Sequence, residues 1–147
     1  MGTATDSGDS QGKVIASAGY EGLTQDNALS VLKSLEGKIE QTPPMVSAVK
    51  HKGKPLYKLA RKGLTVERKK RLIDIYRLEL LRFSLPEIGF KVKCSKGTYI
   101  RSLGEEIARR LGSCGHISQI RRISIGSYSV DQARTLDVFN ENDIRPV

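Results

Sequence analysis

Apolar and polar positions alternate along residues 88–95, with Ile88, Phe90, Val92 and Cys94 in one set and Gly89, Lys91, Lys93 and Ser95 in the other. A period of two predicts a strand with one buried face. The period breaks at Gly97, where a residue without Cβ suits a sharp turn. Ile100, Leu103, Ile107 and Leu111 then recur at spacings of three and four, which predicts a helix with one apolar face that stops at Gly112. Thr98 is placed to cap this helix by accepting from its free N–H groups. Tyr99 and Arg101 therefore fall where a strand hands over to a helix, a common place for binding and chemistry. The helix macrodipole gives Arg101 no help, because the N-terminal end is already positive. Either a carboxylate or phosphate partner holds it there, or it is a solvated arginine on a helix surface.

The same patterns organise the rest of the chain. Residues 1–12 are turn chemistry, dense in Asp, Ser and Gly. Lys13–Ala18 is a short strand. Thr24 caps a helix running to about Glu36, with Ala28, Val31, Leu32 and Leu35 on its apolar face and Gly37 as its stop. Pro43 and Pro44 keep Lys38–Pro44 extended, and Met45–Lys50 resumes as a short strand. After a basic turn at residues 51–54, Pro55 suits the first position of a short helix closed by Gly63. On that helix Tyr57 and Arg61 share a face. Leu72–Phe83 is a long strand whose apolar register shifts midway, from Ile73 and Ile75 to Leu78 and Leu80, so a bulge is expected near Tyr76 or Arg77. Residues 84–87 turn it into the next strand as a hairpin. Residues 118–122 read as a helical turn, residues 123–130 as a closing strand, and Leu136–Glu141 as a short helix or end. Strands and helices in mixed order around a hairpin give an α+β fold with a mixed, mainly antiparallel sheet and flanking helices.

Charge adds a partner class. The 147 residues carry 25 Lys and Arg against 16 Asp and Glu, a net +9. A surplus of that size favours a polyanion, most often nucleic acid. It is concentrated in residues 50–71, where ten basic residues accompany one acid, Glu67. That block is either a solvated basic surface or one that tracks phosphates, and its interleaving with Tyr57 and small apolar residues favours the second. No apolar run is long enough to cross a membrane, and residues 1–12 have no signal-peptide core. Cys94 and Cys114 stand alone, with neither CxxC spacing nor a histidine cluster, so zinc is not expected. Two reduced thiols in a cytoplasmic protein is the simplest account.

No cofactor motif appears, neither GxxxxGK[ST] nor GxGxxG. His51 reads as part of an exposed turn and His116 as a hydrogen-bonder in a loop or core. Asp6 and Asp9 are the close carboxylate pair in a glycine loop. They suit general acid–base work, but Asx-turn roles are the commoner use. Read from its residues alone, this is a basic α+β domain that binds RNA or DNA.

Four blocks, taken together, go further. Residues 94–103, Cys-Ser-Lys-Gly-Thr-Tyr-Ile-Arg-Ser-Leu, resemble the signature of the TruB-type pseudouridine synthases. Residues 5–12 resemble that family's TDTxDxxG segment. Residues 41–50 with Gly53, Leu56, Tyr57, Ala60, Arg61 and Gly63 resemble its QxPPxxSAxK…G…LY..AR.G block. Leu111, Gly112, His116, Ile120, Arg121, Arg122, Gly126 and Tyr128 resemble its LG…H…LRR…G.[FY] block. The likeness runs from about residue 2 to residue 136, and four blocks in order are specific where one would be weak. It implies a cofactor-free and metal-free isomerase. Such an enzyme flips a T-loop uridine of tRNA into a pocket, breaks its N-glycosidic bond, turns the base and rejoins it through carbon. By resemblance, Arg101 would pair with the catalytic aspartate, Tyr99 would lie beside the base and Ile120 would form an apolar wall. Lys96 and Arg122 would sit near the site or the RNA backbone. Lys50, Tyr57 and Arg61 belong to the block expected to contact the stem-loop.

One departure bears on activity. The family's catalytic aspartate lies in a GxLDxxASG loop N-terminal to the TDTxDxxG segment, and residues 1–147 contain no such loop. The family's small C-terminal PUA domain is missing too. The expectation is a partial catalytic domain over residues 1–147, its second half. Within it, residues 12–63 include the basic RNA-binding segment, and residues 88–136 form the active-site strand-turn-helix and closing strand. Such a piece would be inactive without the other half. Two rival readings are a non-catalytic RNA-binding module and a subunit that works beside a chain carrying the aspartate. The glycine loop at residues 5–12 is expected to be too mobile to substitute.

Overall fold

The computed structural model describes residues 1–135. Its elements in chain order are β1 (Thr3–Thr5), β2 (Val14–Ser17), α1 (Gln25–Ser34), β3 (Gly37–Gln41), β4 (Lys50–His51) and β5 (Lys54–Pro55). They continue with α2 (Leu56–Ala60), β6 (Arg71–Ser84), β7 (Glu87–Cys94), α3 (Ile100–Arg110), β8 (Ser124–Ile125) and β9 (Tyr128–Ser129), then a 3₁₀ turn at Val130–Gln132. The fold is α+β with antiparallel pairing throughout these strands.

The long strand is the spine. β6 lies between β3 and β7, with Ile39 opposite Ile73, Leu78 opposite Val92 and Leu80 opposite Phe90. The expected register change is present, between Ile75 and Arg77, and a second follows between Leu80 and Arg82. Each extra residue returns the apolar side chains to the core face after the period of two has been interrupted. Ile73, Ile75 and Leu78 of β6 meet Ala28, Leu32 and Leu35 at α1 and Leu103, Ile107 and Leu111 at α3 in one buried cluster. Phe90, Val92 and Cys94 of β7 reach the same cluster but stay half-buried. Thr24 caps α1 as expected, its side chain accepting from the Asn27 N–H. Glu36, just past α1, accepts from the Leu78 N–H at 3.0 Å beside the first bulge.

Several local expectations fail for identifiable reasons. The turn-rich start contains β1, which pairs with β2 because Thr3 and Ala4 have Ser17 and Ala16 as partners. Met45–Val49 form no strand. The Ser47 and Val49 carbonyls accept from Tyr57 and Leu56 N–H instead, which folds this stretch onto the start of α2. Pro55 is the cap of α2 and not its first residue, held extended at ψ 139° by pairing with Lys50. Thr98 does not cap α3; its hydroxyl donates back to the Ser95 carbonyl at 2.9 Å across the Gly97 turn, and Tyr99 takes the cap position. Residues 118–122 form no helical turn and are exposed, and with Ile120 unburied no apolar face supports one. The closing strand is a separate hairpin of β8 and β9 and does not join the main sheet. Leu136–Glu141 lies outside the described residues. His51 is half-buried in β4, and the His116 Nδ1–H donates to the Thr3 carbonyl at 2.9 Å.

Candidate active site

Arg101 is the centre of a junction between three distant pieces of chain. The first is the loop between β1 and β2. There the Asp6 carboxylate accepts from Lys13 N–H at 2.9 Å, and the Thr5 hydroxyl donates to the Asp9 carbonyl at 2.7 Å. Asp9 Oδ1 accepts from the Ser7 hydroxyl at 2.7 Å and from Gln11 N–H at 3.1 Å. Both aspartates thus serve the turn. Contrary to the expectation of mobility, the loop is pinned. Ile117 N–H donates to the Gly8 carbonyl at 3.0 Å, and Ser10 N–H donates to the Ile117 carbonyl at 3.1 Å. Two glycines permit that approach. Gly8 has φ +75°, and a Cβ on Gly104 of α3 would come 2.5 Å from Ile117 Cδ1.

The second piece is the first turn of α3, which carries Arg101. Arg101 Nη1 donates to Asp9 Oδ2 and to the Ser7 carbonyl, both at 3.1 Å. The third piece is the extended stretch after β3, whose Val46 carbonyl accepts from Arg101 Nη2 at 2.8 Å. Of the two readings of Arg101, the structure takes the first: the partner is a carboxylate, and only 25% of the arginine side chain is exposed. That carboxylate is Asp9. The Ser7 hydroxyl, then the Gln11 N–H and Arg101, hold Asp9 below the usual carboxylate range despite some burial. One helical turn beyond Arg101, the Glu105 carboxyl lies against Gly8. Burial there pushes its pKa up, while Arg101 and Arg68 pull it back.

The remaining sequence-derived residues divide. Tyr99 is half-buried at the cap of α3, two residues from Arg101. Lys96 is exposed in the turn before it. Ile120 and Arg122 are exposed on the stretch after Ile117, and no hydrogen bond or ion pair among the described residues joins them to Arg101. Lys50 is exposed in β4, and Arg61 lies over the Tyr57 ring at 5.5 Å. The β4–α2 unit follows Val46 directly, so the basic block begins beside the junction. Part of that block is tied into the fold, since Arg68 donates to the Pro43 carbonyl at 3.0 Å and Lys70 pairs with Glu40 at 3.1 Å.

Sequence reasoning gave no role to Gln41. It is 8% exposed at the end of β3, and its carboxamide bonds both backbone groups of Tyr99. Its signal was a polar side chain in line with Ile39 on a half-buried strand, separated by one residue from two prolines. Two shallow depressions of about 290 and 220 Å³ lie beside Gly22, Asn27 and Arg110 and beside Arg77, Glu79 and Lys91, and neither is lined by Tyr99 or Arg101. Among the described residues no cluster of His, Cys, Asp and Glu could hold a metal ion, and no helix is long and apolar enough to cross a membrane.

The fold recurs in a solved structure. A chain of a Cbf5-Nop10-Gar1 complex matches 78% of this chain at a TM-score of 0.63 and 32% identity, over 30% of its own length. A family model described as TruB family pseudouridylate synthase (N-terminal domain) matches residues 1–100. The chain belongs to the TruB family of pseudouridylate synthases. Its relatives include tRNA pseudouridine synthase B of Bordetella avium, 47% identical over 95% of this chain and 58% of that protein. The protein of the same name from Francisella philomiragia is 48% identical over 93% of this chain and 46% of that protein. The chain spans about half the length of the curated relatives it matches.

Proposed function

We propose that this chain supplies the arginine side of a pseudouridine synthase site acting on the T-stem-loop of tRNA. The observation that carries the reading is the Arg101 guanidinium, half-buried at a strand-to-helix turn and already paired with a carboxylate. A guanidinium in that setting keeps an aspartate ionised and fixes its direction. A catalytic aspartate needs both when it attacks or deprotonates at the sugar of a flipped nucleotide. Tyr99, on the same turn, is the side chain for the flipped base, and Ile120 offers an apolar wall. Lys96, Arg122, Lys50, Tyr57 and Arg61 follow the RNA. Residues 1–147 act as a partial catalytic domain, completed by the half of the same domain that bears the aspartate loop.

Asp9 is the rival for the catalytic carboxylate, since it sits on Arg101. Both its oxygens are engaged, Oδ1 by Ser7 and Gln11 and Oδ2 by Arg101, so it serves the loop rather than a substrate. The test is tritium release from C5-labelled uridine in a T-stem-loop RNA. The chain is assayed alone and with a polypeptide carrying the family's aspartate loop. The expected result is RNA binding by the chain alone, with turnover only after the polypeptide is added. Turnover by the chain alone that disappears in Asp9→Asn moves catalysis to residues 5–12. Absence of RNA binding removes the reading altogether.

A further inference from the structure

Thr42–Val46, between β3 and β4, belong to no strand, and none pairs with them among the described residues. Even so, the carbonyls of Thr42, Pro43, Met45 and Val46 all accept hydrogen bonds, three of them from side chains. The Ser102 hydroxyl donates to the Thr42 carbonyl at 3.2 Å, Arg68 Nη1 to that of Pro43 at 3.0 Å and Arg101 Nη2 to that of Val46 at 2.8 Å. Pro43 and Pro44 have no N–H to offer a ladder, so this stretch depends on such donors. At its head, Gln41 Oε1 accepts from Tyr99 N–H at 2.8 Å and Gln41 Nε2 donates to the Tyr99 carbonyl at 3.1 Å. Tyr99 is the cap residue of α3, and its own side chain makes no capping bond. The bond from Gln41 crosses 58 residues of sequence to hold it.

We propose that Gln41 is a positioning residue: its carboxamide fixes the backbone where β7 turns into α3 and so aims Tyr99 and Arg101. Only a side chain with a donor and an acceptor side by side can satisfy both groups of one peptide-bonded residue. Arg101 follows by two residues on the same helical turn, so a rotation at Tyr99 carries through to the guanidinium. That rotation would change its distances to Asp9, Ser7 and Val46 together. The inference rests on the proposed site in assigning catalytic consequence, but the clamp is measurable without it.

Two variants separate the parts. Gln41→Met keeps much of the volume and loses both bonds, while Gln41→Glu keeps the acceptor for Tyr99 N–H and loses the donor. Ile75→Val, a core change away from the clamp, reports what mild destabilisation does by itself. In the 147-residue chain, the Tyr99 amide of Gln41→Met should exchange with solvent about tenfold faster or more, the size expected for one lost hydrogen bond. The Arg101 Nε resonance should shift in the same variant. Gln41→Glu should retain Tyr99 protection at neutral pH, and Ile75→Val should leave the Arg101 signal in place. With the aspartate-bearing polypeptide added, Gln41→Met should lower kcat while leaving KM for the stem-loop close to the parent value. Unchanged Tyr99 exchange and Arg101 signal in Gln41→Met overturn the clamp. A moved Arg101 signal with unchanged kcat in an active assembly overturns its role in the reaction. If the parent assembly is inactive, the assignment of function fails, while the exchange and resonance data still decide the clamp.

Discussion

Arg101 spends its reach on three acceptors supplied by two other segments, Ser7, Asp9 and Val46. A planar fork suits that arrangement, and a lysine ammonium cannot span it. Arg101→Lys should therefore loosen the junction even though the charge is kept. The pair is partly exposed, with 25% and 30% of the two side chains open to solvent, so the loss is discounted to roughly 1–2 kcal/mol. Urea unfolding of the parent and variant measures it. A midpoint within error of the parent would show that the three contacts are interchangeable with solvation. On the role proposed for Arg101, the same change in the chain completed with the aspartate-bearing polypeptide should lower turnover by far more than it lowers stability, because it would misdirect the carboxylate that Arg101 is proposed to hold.

At the scale of the element, α3 joins the core to the site. Leu103 and Ile107 face the buried cluster, Arg101 faces the glycine loop, and Arg110 at the far end donates to the Ser34 hydroxyl of α1 at 3.0 Å. Glu106 sits between Arg109 and Arg110 and accepts from both, while the two arginines complement the C-terminal end of the helix. Arg109 first, and then Arg110, lower the Glu106 pKa from 4.5 to about 2. A carboxylate whose folded pKa is depressed contributes fully above its unfolded value, and the contribution is lost as pH falls from about 4.5 through about 2. Glu106→Gln should remove that part of the acid dependence and leave stability less sensitive to pH across the window. The effect should be small, at most about 1 kcal/mol, because the pairs face solvent. Thermal midpoints taken between neutral pH and the acid limb decide this. Parallel curves for parent and variant would mean that the bridges contribute nothing.

The whole molecule carries its positive surplus unevenly. Within the basic block, exposed Lys50 and Arg61 lie on or beside the β4–α2 unit, whose N-terminal flank at Val46 bonds Arg101, while exposed Lys69, Lys70 and Arg71 lie at the start of β6. Removing a side chain that binds one phosphate should lower the salt dependence of stem-loop affinity by roughly 0.7 to 0.9 in slope. Lys50→Ala and Arg61→Ala should each show that change, and Lys70→Ala a smaller one, since Lys70 is already paired with Glu40. Affinity measured against salt for the three variants checks both statements, and a parent slope in all of them would make the block a solvated surface. On the other flank, β7 has no strand beyond it among the described residues. Its outward Lys91 and Lys93 are the kind of charges that discourage edge-to-edge association.

Local pattern sufficed where local physics decides. The 3.6 period fixed α1 and α3 around Leu32, Leu35, Leu103 and Ile107. The interrupted period of two revealed the first β6 bulge, and Thr24 was readable as a cap because its bond spans three residues. The four motif blocks, which rest on residue identity rather than contact, were enough to mark the family. What the chain's order could not show is which carboxylate meets Arg101, because Asp9 lies 92 residues away on a loop that Ile117, packed against Gly104, holds in place. Gln41 was hidden for the same reason. Its worth depends on Tyr99, 58 residues on, and a single strand's pattern shows that a polar side chain is buried without showing what it holds. Periodicity records the choice between core and solvent at each position; a hydrogen bond between remote segments leaves no period, and only the packed chain determines it.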